Sequence, residues 1–254
     1  MRRICGVLLL VLAAGTMTVA AQTSGATTTV INGTGIHDID DPVAQVRHEM
    51  SWHFEPFFNY GNGLGNRDQY KFVWAGVEAG KILTPVVGKG FLAGQFEIAG
   101  NVIPFWQAYT PAPHEELYTC IYGSTVEPCE LPTGGGTFRG VSITPVIFRW
   151  NFDTHAHKVQ PWFQAAGGLI YTTHKFPPNV LSNNNPAVGP IVDGGTCVWN
   201  FSPQGGGGVR FFTRDKRSID IGVNGVHISS ASLGDRNPGV NASVQIQVGY
   251  TFWR

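Results

Sequence analysis

Charge is scarce in this chain: 13% of its residues are Asp, Glu, Lys or Arg, against roughly 25% in ordinary soluble domains. The charge that is present balances, with 17 basic and 17 acidic side chains, so the basic stripe that nucleic-acid binding requires is missing. No internal segment reaches the eighteen or more continuous apolar residues of a spanning helix. There are four cysteines, and none stand at the Cys-x-x-Cys spacing of zinc modules. These absences give no case for a nucleic-acid binder or a helical membrane protein and argue against a cysteine-zinc module. With 33 glycines and 12% aromatic residues, β structure is the class that remains.

The N-terminus indicates the compartment. Arg2 and Arg3 precede an apolar stretch from Val7 to Ala14, and Val19-Ala20-Ala21 supplies small residues before Gln22, the pattern of a secretory signal peptide cleaved after about Ala21. Cleavage leaves 254 − 21 = 233 residues and, without Arg2 and Arg3, 15 basic against 17 acidic side chains. Cys5 leaves with the leader. Cys120 and Cys129 bracket a short Gly/Pro-containing loop and are expected to pair in an oxidising compartment; Cys197 is then left over.

Residues 22–48 are Thr/Gly/Asp-rich without sustained period and read as a periplasmic arm or a plug. Eight strand-like stretches follow, at about 49–59, 69–80, 90–102, 138–151, 159–173, 203–213, 217–229 and 240–253, each bounded by Gly, Pro, Asn or Asp clusters. In 159–173, Val159, Phe163, Leu169 and Tyr171 alternate with Gln160, Gln164 and Thr172; in 240–253, Val244, Ile246 and Val248 alternate with Ser243, Gln245 and Gln247. Stretch 138–151 breaks the rule, because Arg149 falls in register with Val141 and Ile143; a bulge or an early end near Pro145 is expected there. The connections 81–89, 152–158 and 214–216 are short, whereas 103–137 and 174–202 are long. An even strand count, apolar-out and polar-in alternation, and loops long at one end only predict an all-β fold, an eight-stranded antiparallel transmembrane β-barrel over 49–254 in the outer membrane. Trp52, Trp74, Trp106, Trp150, Trp162 and Trp253 are expected to form its aromatic girdles.

The last residues carry the chemistry. Counting back by twos from His227 gives Gly225, Val223, Ile221 and Ile219, so His227 and Ser229 share the apolar, lipid-facing side at the rim with the long loops. A serine hydroxyl becomes a nucleophile when a base takes its proton, and histidine titrates in the right range. Facing acyl chains, the pair suits ester hydrolysis of a lipid. The segment His227-Ile-Ser229-Ser-Ala231-Ser-Leu233, followed by Asn237-Pro-Gly239-Val240-Asn241, resembles the C-terminal signature of the lipid A 3-O-deacylase (PagL) family. That resemblance implies an eight-stranded outer-membrane barrel that removes the ester-linked 3-hydroxyacyl chain of lipid A without a cofactor, with lipopolysaccharide as partner, His227 as base and Ser229 as nucleophile. The family's third member, a glutamate fourteen residues after the histidine, falls on Asn241. Ser230 and Ser232 stand where the family has Asn and Gly near its oxyanion site. Asn241 keeps the sequence position of the orienting group, Asp235 the charge. The competing reading is a catalytically inactive barrel acting as a scaffold or surface-binding protein.

Two other constellations read as non-functional. His155-Ala-His157 lies in a short turn and reads as solvated, and His37 with Asp38, Asp40 and Asp41 lacks the spacing of a calcium loop.

Overall fold

The computed structural model describes residues 41–254 apart from 113, 123, 134, 155, 178–196 and 232–240; side chains 66, 116, 118–122, 129 and 131–133 also fall outside the description. The expected leader, most of the N-terminal arm, Asp235, His155 and the His37 cluster up to Asp40 thus lie outside the described residues.

Alternation of apolar and polar side chains drives the architecture, because a strand that meets lipid on one face and a polar lumen on the other must alternate with period two. Eight strands close into an antiparallel barrel in the order β1-β10-β9-β8-β7-β6-β3-β2. They are β1 (Trp52–Gly63), β2 (Lys71–Ile82), β3 (Gly94–Tyr109), β6 (Thr137–Phe152), β7 (Val159–Phe176), β8 (Cys197–Arg214), β9 (Arg217–His227) and β10 (Ala242–Trp253). Each corresponds to one of the eight expected stretches. Outward positions are apolar and exposed, as with Ile221, Val223, Val244, Ile246 and Val248.

The long connection after β3 carries structure of its own. β4 (His114–Tyr122) and β5 (Thr125–Thr133) pair as a separate two-stranded hairpin, with Leu117 and Val126 exposed. Cys120 and Cys129 lie on these two strands. Cys197, left over in the sequence reading, is disulfide-bonded.

At the opposite end, helix α1 (Pro42–His48) begins at Asp41, whose carboxylate accepts the Ala44 N–H at 2.8 Å, a standard N-cap. Val43 and Val46 pack on Ile82, Phe212 and Trp253. His157 donates from Nδ1 to Asp41 Oδ2 at 2.8 Å, so it is tied to the helix cap.

The lumen has layers. Near α1 lies the apolar contact just described. A middle band is ionic: Arg149 donates to Glu97 and Glu78, both at 2.7 Å, and Arg210 to Asp220 at 2.9 Å. Towards the far rim the filling is aromatic, with Phe72, Trp74, Trp106, Phe138 and Phe176 in one buried cluster.

This corrects the girdle expectation. Trp74, Trp106, Trp162 and Trp253 are 1–3% exposed and share the inward face with the polar set, while Trp52 and the unanticipated Trp199 are on the exposed surface. Composition alone does not say which face a tryptophan takes; register does.

The register anomaly at Arg149 resolves as a bulge. The β6–β7 pairing shifts between Ile143 and Val146, at the point where Pro145 lacks the N–H a ladder needs. That shift leaves Val141 and Ile143 outside and turns Arg149 inside, 1% exposed.

Candidate active site at the lipid-facing rim

β9 ends at His227, which pairs across the ladder with Ala242 of β10. One residue further on, Ile228 donates its N–H to the Asn241 carbonyl at 2.9 Å, and Ser229 forms a two-way bridge with Phe201, at 2.7 and 3.0 Å. The chain then turns. Ser229 Oγ accepts the Ala231 N–H at 3.1 Å, and Ala231 adopts φ 50°, a left-handed conformation unusual for a residue with a side chain.

Directly opposed residues in an antiparallel ladder share a face. Phe201 is exposed on the exterior, so Ser229 is exterior too. Inward positions on β9 and beyond are Asp220, Asn224, Val226, Ile228 and Ser230, all 2% exposed or less; His227 alternates with them and points out. The two side chains therefore project from one face, their Cα atoms about 6–7 Å apart along the strand, with no hydrogen bond joining them among the described residues.

Asn241 stands on the other side of the wall. It lies opposite Ile228, is 2% exposed, and its Nδ2 has no hydrogen-bond partner among the described residues. A strand places adjacent residues on opposite faces, so this register does not bring the Asn241 side chain to His227. Across the ladder at the level of His227 stand Pro203 and Ala242, neither of which has a side-chain acceptor. Among the described residues no carboxylate bonds to the His227 ring.

Beneath His227 the exterior wall is hollow. A groove of about 370 Å³ is lined by Leu64, Pro203, Gly205, Gly225, His227 and Ala242, among others. Its glycines are not demanded by packing: a Cβ on Gly205 or Gly225 would approach nothing closer than 3.5 and 3.7 Å. The inward glycines of the same strands differ. A Cβ on Gly208 or Gly222 would come within 2.5 or 2.6 Å of the Trp162 ring. The glycine run of β8 thus has two roles, making room for Trp162 inside and leaving a trough outside. Above the trough, Tyr171 and Trp199 pair at 5.0 Å on the outer face, the amphipathic rings typical of a lipid–water boundary. Sequence reading missed both the trough and the aromatic rim, since each depends on which residues of four strands fall side by side.

The family model for lipid A 3-O-deacylase (PagL) matches residues 133–251. That span holds β6 to β9, β10 up to Thr251, and both His227 and Ser229. No curated protein matches the chain. Among solved structures, the outer membrane enzyme PagL superposes with TM-score 0.45 at 14% identity, covering 78% of this chain and 98% of that one. Neisserial surface protein A gives 0.46 at 12%, covering 79% and 96%. The N-terminal β-barrel domain of Pseudomonas aeruginosa OprF gives 0.37 at 12%, covering 80% and 98%.

Proposed function

We propose that this chain, which over residues 133–251 is similar to the lipid A 3-O-deacylase family, is an outer-membrane esterase that removes an ester-linked 3-hydroxyacyl chain from lipid A at its extracellular rim. The observation that carries the reading is the shared outward projection of His227 and Ser229 over a trough in the barrel wall. Since α1 and the short turns occupy one end and the long connections the other, the far rim is the extracellular one. The outer leaflet at that height is lipopolysaccharide, so the substrate's acyl chains reach the site laterally through the membrane.

In the reaction His227 takes the proton of Ser229 Oγ–H as Oγ attacks the ester carbonyl carbon. The carbonyl oxygen becomes an oxyanion, and the Ala231 N–H, already aimed at Oγ, lies beside it as a donor. On collapse His227 returns the proton to the departing sugar oxygen, leaving an acyl-serine. Water, deprotonated by the same imidazole, attacks that ester and releases the 3-hydroxy fatty acid. The trough below His227 holds the acyl chain during both steps. A catalytic imidazole needs a group to fix its tautomer; with Asn241 inside the wall, that role falls to Asp235 in the loop between Ser229 and β10.

The test is lipid A mass spectrometry after the chain is expressed in the outer membrane of a host carrying 3-O-acylated lipid A. Loss of one 3-hydroxyacyl group is expected, abolished by Ser229→Ala and by His227→Ala. Asp235→Asn should lower the rate by about 10²-fold or more, while Asn241→Ala should leave it within a few-fold, on the scale of tautomer loss in serine hydrolases. Unaltered lipid A in the presence of folded protein refutes the esterase and leaves the inactive scaffold.

A further inference from the structure

The ionic band inside the barrel does not balance. Glu55, Glu78, Glu97 and Asp220 face Arg149 and Arg210, so four carboxylates meet two guanidiniums, and all six side chains are buried at 2% exposure or less. An uncompensated buried charge is among the costliest features a fold can hold. Two further positive charges are needed beside these six side chains, supplied either by a bound divalent ion or by protons on His53 and a carboxyl group.

His53 marks where it would sit. Its side chain is fully buried, with Nε2 3.4 Å from Glu78 Oε1 and Nδ1 3.7 Å from Glu97 Oε1. Neither ring nitrogen has a hydrogen-bond partner among the described residues. A neutral imidazole has one N–H and one lone pair, so whichever tautomer is present, one lone pair is turned towards a carboxylate oxygen. A metal ion between or beside them, or a second proton on the ring, makes that arrangement favourable. The Nε2–Oε1 separation is long for a hydrogen bond, but two donors bound to one tetrahedral zinc at about 2.0–2.2 Å stand roughly 3.3–3.5 Å apart.

We propose that His53, Glu55 and Glu78 form a binding site for a divalent transition-metal ion of the zinc type inside the barrel. One donor atom from each of the three lies within 4.8 Å of the others. One nitrogen and two carboxylate oxygens are a donor set that zinc accepts. The surrounding groups hold the ligands in place: Gln247 donates to Glu55 Oε1 at 3.2 Å, the Thr251 hydroxyl bridges Glu55 Oε2 at 2.9 Å and Asp220 Oδ2, and Arg149 anchors Glu78. Such outer contacts orient metal ligands. The two positive charges of the ion cancel the two left over by the carboxylates. The ion ties β1 to β2 within the lumen and is remote from the rim, so its role is to hold the barrel together.

Elemental analysis of the full chain, folded into detergent micelles and equilibrated with zinc before exhaustive dialysis, tests this. About one zinc per chain is expected, lost in His53→Ala and in Glu55→Gln and retained in Ser229→Ala. Because an interior variant can fail to fold, the wild type is also loaded with cobalt(II), whose visible spectrum should report four-coordinate nitrogen/oxygen ligation. A wild-type barrel that binds neither zinc nor cobalt overturns the site and leaves protons on His53 and Glu55 as the compensating charge. Stoichiometric metal surviving in a folded His53→Ala, Glu55→Gln double variant overturns it as well. Neither result depends on whether the rim hydrolyses lipid.

Discussion

Gly222 and Gly225 lie three residues apart on one strand and face opposite ways, so the same substitution at each should have opposite consequences. At Gly222 a Cβ would stand 2.6 Å from Trp162 Cη2 and 2.9 Å from Cζ2. Trp162 is 3% exposed and has Arg149 over its ring at 4.8 Å, so it cannot retreat without breaking the ionic band. Gly222→Val should then destabilise by about 1–3 kcal/mol, the usual cost of overpacking. At Gly225 the nearest atom to a Cβ is the Gly205 carbonyl oxygen at 3.7 Å, and the new side chain faces lipid. Gly225→Val should be neutral or stabilising by up to about 1 kcal/mol, since valine suits a strand better than glycine. Equilibrium unfolding by denaturant of the vesicle-embedded barrel measures both, and a gap of roughly 1–4 kcal/mol between the variants is expected from these two terms. The same pair separates folding from catalysis: Gly225→Val fills the trough beneath His227 and should cut deacylation at least tenfold in a fully folded barrel. Equal destabilisation by the two substitutions would refute the assignment of faces, and unchanged deacylation by Gly225→Val would refute the trough as the acyl-chain site.

Two further outcomes follow from the lumen and the α1 end. Arg149→Met strips Glu78 and Glu97 of their shared guanidinium and should cost about 3–5 kcal/mol in the same assay; a loss under 1 kcal/mol would mean the carboxylates are already neutralised. Glu49, beside α1, is held below the ordinary carboxylate range by the hydrogen bond from Lys216 at 2.7 Å, against the opposing pull of desolvation. Its folded-state value being the lower one, the pair stabilises at neutral pH and that contribution disappears as pH falls below the usual carboxylate value of about 4.3. Glu49→Gln should therefore be slightly less stable than wild type at pH 7, within the surface-pair range of about 0–1 kcal/mol, and the gap should close on acidification; a gap that widens instead would contradict the pairing.

The strand count and the closed antiparallel class were legible in the sequence, because a side-chain period of two is a local property and lipid enforces it on every strand. The anomaly at Arg149 was legible as well, since a proline inside a strand pattern signals a bulge. The added hairpin β4–β5 and helix α1 were not anticipated: one lies in a connection long enough to read as loop, the other is seven residues long, too short for a periodic signal.

What only the tertiary structure decided is what stands beside what. Trp74, Trp106, Trp162 and Trp253 went inside because register, not residue type, assigns a face. The same rule put Asn241 in the lumen, where its sequence distance from His227 counts for nothing. His53, Glu55, Glu78, Glu97, Arg149, Arg210 and Asp220 are drawn from six strands, and no spacing along the chain announces their meeting. A sequence gives each strand its two faces; closing eight of them into a ring determines which residues share the enclosed space.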